Sequence, residues 1–160
     1  FVHERYHNDS SIPRFTGWWG HDKKSRFNMP KKFKPISSVE GWQCSNPSIL
    51  SLAVLRSSMD IFQSVGMETL RRKSVMLTGY LSFLLNELPL KIITPSNEQK
   101  RGCQLSIRMK NNGRAVFDEL TKSGFMLDWR GFDIIRVAPV PLYNTFYDVW
   151  KFAEKLKTLM

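Results

Sequence analysis

The chain has few residues that could staple it together. Cys44 and Cys103 are its only cysteines, and they are too far apart for the Cys-x-x-C spacing of a zinc ribbon or redox pair. Both are expected to be reduced thiols of a cytosolic protein. Long apolar runs are also missing. The densest, Ile49 to Leu55, is far short of a bilayer span, which excludes a transmembrane helix read from sequence. Glycine is present nine times but never as a Gly-rich phosphate loop. No pair of carboxylates suggests a glycosidase or protease dyad. The chain starts at Phe1 without a basic-then-apolar leader, and is expected to be a piece of a longer protein.

Acid is scarce too. Against 24 Lys and Arg stand 14 Asp and Glu, a formal net charge of +10. Such an excess suits a polyanion partner. The densest basic stretch, Lys23 to Lys34, nevertheless contains neither an RNA-binding signature nor a helix-turn-helix pattern, so nucleic acid is not the expected partner. The alternative is that the rest of a longer chain carries compensating acid. With 42% hydrophobic and 24% charged residues in 160, the composition is that of a folded domain able to bury a core.

Three regions follow one another. Residues 1–46 lack helical periodicity and are rich in Trp, Phe, His, Lys and Pro. So long an irregular stretch with this aromatic content points to a functional segment. Residues 47–90 are helical. Asn46-Pro47 supplies a cap and a first-turn proline, and the helix runs to about Gly66. Apolar residues surround its first half (Ile49, Leu50, Leu52, Ala53, Val54, Leu55), which predicts burial on most sides. A second helix is expected from Met67 to Glu87, with a stripe of Leu70, Leu77, Leu81, Leu84 and Leu88.

Residues 91–160 alternate strands and helices. Strands are expected at Lys91–Thr94, Cys103–Met109, Phe125–Asp128 and Ile134–Val137. Helices are expected at Arg114–Ser123 and from Asn144 or Thr145 to Met160. The sum is an α+β domain, a small sheet with helices against one face.

Several constellations invite chemistry. Gly17-Trp18-Trp19-Gly20-His21 places two indoles outside any periodic element. They suit a ligand pocket, where an indole N–H can donate to a phosphate, or an aromatic core. Ser45-Asn46-Pro47 offers a hydroxyl and an amide to an anion or polar ligand, or simply a helix cap. Arg136, within Ile134-Ile135-Arg136-Val137, needs a partner if buried. Its fork suits a carboxylate, and an exposed edge strand is the other reading. His3 and His7 are four apart, but no third ligand stands at a metal-binding spacing, so no metal is expected.

Taken in order, these motifs resemble the kynureninase family. Gly17-Trp18-Trp19-Gly20-His21 and Arg26-Phe27-Asn28-Met29 resemble its Gly-Trp-Phe-Gly-His segment and Arg-Phe-x-Met continuation. Ser45-Asn46-Pro47, Lys73 to Leu81, Ile92 to Pro95, Arg101 to Leu105 and Ile135 to Asn144 continue the likeness over essentially the whole chain. The resemblance implies the C-terminal small domain of an aspartate-aminotransferase-like, fold-type I enzyme, preceded by an irregular active-site segment. It implies a cytoplasmic homodimer with pyridoxal phosphate at the subunit interface. The implied reaction is hydrolysis of L-kynurenine or 3-hydroxykynurenine to L-alanine and anthranilate or 3-hydroxyanthranilate, a step of tryptophan catabolism and NAD biosynthesis.

By the same resemblance, Trp18 contacts the cofactor phosphate. Asn46, with Ser45 beside it, reaches cofactor and substrate, and Arg136 holds the substrate α-carboxylate. No catalytic residue is carried over, because the family's cofactor lysine lies before Phe1, and the chain alone is expected to be inactive. A non-catalytic ligand-binding or dimerising descendant, and a basic nucleic-acid-binding domain, are the competing functions.

Overall fold

The computed structural model describes residues 1–160. Contacts divide the chain into a first unit, Phe1–Met59, and a second, Asp60–Met160. The first unit holds no strand beyond a single bridge between His21 and Pro35. Its irregular path is punctuated by one-turn 3-10 helices at Glu4–Tyr6, Arg26–Asn28 and Val39–Trp42. This agrees with the aperiodic pattern of residues 1–46.

Helix α1, Ile49–Val65, starts later than Asn46-Pro47 predicts. Ser48 occupies the junction instead: its carbonyl accepts from the Leu52 N–H at 3.0 Å and its hydroxyl donates to Ser51 Oγ at 3.0 Å. Asn46 therefore caps no helix. The expected burial is also overturned. No residue of α1 is buried, and Leu50, at 81% exposure, typifies its first half. The apolar pattern is real, but nothing in this chain covers it.

Gly66, at φ +83°, separates α1 from α2, Met67–Leu85. Helix α2 buries Leu70, Ser74, Leu77, Thr78, Leu81 and Leu85. Leu85 replaces Leu84 and Leu88 as the last fully buried leucine of the stripe, and those two pack only partly. The buried Thr78 hydroxyl is satisfied within the helix, donating to the Ser74 main-chain carbonyl at 2.6 Å.

The sheet comprises β1 (Lys91–Ile92), β2 (Leu105–Arg108), β3 (Asp128–Arg130) and β4 (Ile134–Val137), ordered β1-β2-β4-β3 and antiparallel throughout. Helices α3, Gly113–Lys122, and α4, Phe146–Thr158, follow β2 and β4. Alternation sorts the strands. Leu105, Ile107, Ile135 and Val137 are buried with Leu77, Leu81, Val116, Leu120, Val149, Phe152 and Leu156 in one core. Each such side chain contributes roughly 1.5–3 kcal/mol by leaving water. Ser106, Arg108 and Arg136, the alternate residues, lie on the opposite face.

Strand β3 begins at Asp128, where the sequence predicts its end. The hairpin explains the shift. Phe132 and Asp133 both have positive φ (64° and 61°), and this turn sets Arg130 opposite Ile134. Phe125 and Leu127 are left to pack against the core from the preceding loop.

Candidate functional site

Arg136 lies in β4, a central strand between β2 and β3, so the edge-strand reading does not hold. Its register partners are Ser106 on one side and Asp128 on the other. On the face away from the core, its Nε and Nη2 both meet Asp128 Oδ2. Asp128 also pairs with Arg130 Nε at 3.2 Å. One edge of the Arg136 fork is thus held within the sheet. A guanidinium has five N–H donors, so the Nη1 side is left for a second anion. The residues after Arg136 are fixed as well. Lys73 Nζ in α2 donates to the Pro141 carbonyl at 2.7 Å, and the Val140 N–H donates to Asn144 Oδ1 at 2.8 Å. Thr145 then opens α4 through a reciprocal capping box with Asp148.

Trp18, Ser45 and Asn46 belong to the first unit. Its path depends on three close backbone approaches, one of them between Gly41 and the Ile36 carbonyl and the other two shaping the tryptophan loop. A Cβ on Gly17 would stand 2.1 Å from Cys44 Cα, and one on Gly20 would stand 2.8 Å from the Gly41 carbonyl oxygen. Only glycine fits at these contacts, and they lay the tryptophan loop against residues 41–44, next to Ser45-Asn46. The loop's other side pairs antiparallel with residues 34–36: the Asp22 N–H donates to the Lys34 carbonyl at 2.8 Å and the Ile36 N–H to the Gly20 carbonyl at 2.9 Å.

His21 is buried inside this arrangement. The Lys34 main-chain N–H donates to its Nδ1 at 3.2 Å, which leaves the neutral ring's proton on Nε2. That nitrogen faces Ser25 Oγ at 3.3 Å, and Ser25 Oγ donates to Asp22 Oδ2 at 2.7 Å. The Ser25 hydroxyl, followed by Lys34 and the other neighbours, holds the Asp22 carboxyl below its ordinary range.

Two cavities flank the loop. One of about 320 Å³ is lined by Trp18, His21, Arg26, Lys31 and Phe33 among others. Trp18 forms one wall, edge-on to Phe27 with ring centres 5.8 Å apart. The other, of about 260 Å³, is lined by Trp19, Lys23, Arg26, Glu40, Gln43 and Asn46 with Pro47. Trp18 and Asn46 thus line two different cavities, which share Arg26. Ser45 is exposed, and its carbonyl accepts from Gln43 Nε2 at 3.1 Å. Arg136 stands in the second unit.

Two residues were not singled out from sequence. Asp128 lies eight positions before Arg136, and only the hairpin register shows them to be neighbours. Arg26 stood out only as part of a motif, since nothing in its neighbours marks it as buried. No three His, Cys, Asp or Glu side chains cluster to hold a metal ion. His3 Nδ1 instead accepts from the Arg5 N–H at 3.3 Å. No helix is long and apolar enough to cross a membrane.

Known proteins share both sequence and fold with this chain. It is 51% identical to a kynureninase of Koribacter versatilis, over 97% of this chain and 37% of that protein. It is 50% identical to one of Stenotrophomonas maltophilia, over 98% and 38%. The chain thus spans little more than a third of the length of these relatives. Among solved structures, the apo cysteine desulfurase of Thermococcus onnurineus superposes with a TM-score of 0.78 at 16% identity, covering 99% of this chain and 42% of that one. A C-DES mutant with glycine covalently linked to its PLP cofactor gives 0.70 at 15%, covering 90% and 37%. These two establish a shared fold. The kynureninase C-terminal domain family matches residues 70–156, which take in most of α2, the whole sheet with Arg136, α3 and most of α4. The chain belongs to that family.

Proposed function

We propose that this chain is the C-terminal part of a pyridoxal-phosphate-dependent kynureninase. The reaction is hydrolysis of L-kynurenine or 3-hydroxykynurenine to L-alanine and anthranilate or 3-hydroxyanthranilate, in a cytoplasmic homodimer. The observation that carries the reading is 51% identity to a kynureninase across 97% of the chain. The residues present suit the cofactor. The cavity beside Trp18 has a buried cation, Arg26, and a lysine, Lys31, in its lining and no acidic residue, as a phosphate site requires.

Trp18 binds the cofactor phosphate through its indole N–H, and Asn46, with Ser45 beside it, contacts the cofactor and the substrate. When bound, the cofactor supplies the electron sink that makes cleavage of the substrate's carbon–carbon bond feasible. Arg136 grips the substrate α-carboxylate with the side of its fork that Asp128 leaves open. It thereby fixes the amino-acid end while the side-chain ketone takes up water. The lysine that carries the cofactor, and the domain around it, belong to the larger part of the relatives that this chain does not match.

The test is turnover by the full-length natural protein supplied with pyridoxal phosphate. Equal release of alanine and anthranilate from L-kynurenine is expected. A protein that binds the cofactor but leaves kynurenine and 3-hydroxykynurenine intact would refute the reading. The 160-residue chain alone is expected to be inactive.

A further inference from the structure

Arg26 is a buried cation without a counter-anion. It is 6% exposed, and no carboxylate is within ion-pair distance. Its Nη2 donates to the main-chain carbonyls of Trp19 at 3.3 Å and His21 at 3.2 Å. Its guanidinium lies over the Trp19 ring, 4.7 Å from the centroid, and its Nε–H has no acceptor. Glu40, which shares the cavity on the Asn46 side with it, is already taken by Lys23 at 3.0 Å. Two carbonyl dipoles and an aromatic face ease the burial of a charge, but they do not neutralise it. A full positive charge is left beside the Trp18 cavity, where partial exclusion of water lets it act over several ångströms.

We infer that Arg26 is the positioning residue of the phosphate site. It winds the Trp18–His21 loop around its guanidinium, and its uncompensated charge gives the Trp18 cavity its preference for an anionic group. Nε is sealed from solvent, so Arg26 acts through the loop and through its field, while Trp18 and Lys31 meet the anion. Two consequences follow. Losing the charge weakens a phosphorylated ligand far more than its unphosphorylated counterpart. Keeping the charge on a lysine preserves that difference even though the fork of carbonyl bonds is lost.

The inference rests on the proposed cofactor, and one experiment separates the two. Affinities of the full-length protein for pyridoxal phosphate and for pyridoxal are measured by equilibrium dialysis, with inorganic phosphate as competitor. Wild type, Arg26→Gln and Arg26→Lys are compared, and the fold of each is checked by near-ultraviolet circular dichroism. Arg26→Gln is expected to lose at least about tenfold in affinity for pyridoxal phosphate and for inorganic phosphate, the scale set by one partly shielded charge. Its pyridoxal affinity should stay within about twofold, an effect too small to reflect a lost charge. Arg26→Lys should keep most of the wild-type preference.

Equal weakening of both ligands by Arg26→Gln would reduce Arg26 to a structural part, and no change in either would remove it from the site. If Arg26→Gln does not fold, a folded Arg26→Lys without the phosphate preference overturns the inference by itself. A wild-type protein that binds no pyridoxal phosphate would instead strike the cofactor reading.

Discussion

Arg136 and Asp128 are register partners across the β3–β4 hairpin and form an ion pair on the sheet face opposite the core. Arg136 is only partly exposed there, with 30% of its side chain accessible. A half-buried guanidinium whose one edge is fixed by a carboxylate is oriented before any ligand arrives, and less freedom is lost when a second carboxylate binds.

On the proposed reading of Arg136 as the carboxylate holder, Asp128 acts on substrate binding through it. Asp128→Ala in the full-length protein is expected to lower kcat/KM for kynurenine by about tenfold or more, as misplaced binding groups do. Asp128→Asn keeps an acceptor opposite Arg136 and should recover most of the loss. Steady-state kinetics of both variants check this, and an Asp128→Ala enzyme with wild-type kinetics would show that the pair is idle.

Gly17 makes the closest backbone approach in the first unit, against Cys44. Gly17→Ala should displace the tryptophan loop from residues 41–44. We expect altered tryptophan fluorescence and weaker pyridoxal phosphate binding, while the core of the second unit keeps its far-ultraviolet circular dichroism.

The capping box of α4 makes stability depend on pH. The Thr145 main-chain N–H, and then its hydroxyl, bond the Asp148 carboxylate and hold it below its ordinary pKa of 3.8. A depressed carboxylate stabilises the fold above its unfolded pKa, and the contribution disappears as pH falls through the depressed value. Asp148→Asn should therefore lower Tm at neutral pH and flatten the decline of Tm below about pH 4, the carboxylate range. Thermal melts across that range test it, and parallel wild-type and variant curves would contradict it.

Much of the second unit was legible in the sequence because its patterns are local. Cys103 to Met109 alternates cleanly, Asn144 or Thr145 signals the start of the last helix, and Ile134–Val137 is followed by Pro139 and Pro141. What escaped depends on turn geometry or on packing that hydrophobic periodicity does not encode. Strand β3 is placed by the two positive-φ residues of the following turn, and neither is a glycine. The apolar surround of α1 correctly marks a helix, but burial needs something to pack on it, and periodicity carries no information about that. The arginines divide in the same way. Arg136 stands out inside an apolar strand, whereas Arg26 is buried by a loop fold that no spacing rule describes.

Phe132 follows from this. It holds φ at +64° with 93% of its surface exposed, a backbone conformation that costs an L-residue roughly 1–2 kcal/mol with no packing to offset it. Phe132→Gly is expected to raise Tm by a few degrees without altering kinetics. A lower Tm would mean that the side chain has a partner beyond this chain.

The most direct measurement compares kynurenine with its decarboxylated analogue as ligands of the full-length protein and of Arg136→Met. If Arg136 holds the α-carboxylate, the wild type should bind kynurenine at least about a hundredfold more tightly than the analogue, the scale of a lost charge-assisted pair. Arg136→Met should bind the two almost equally. An Arg136→Met protein that still discriminates as the wild type does would contradict the account.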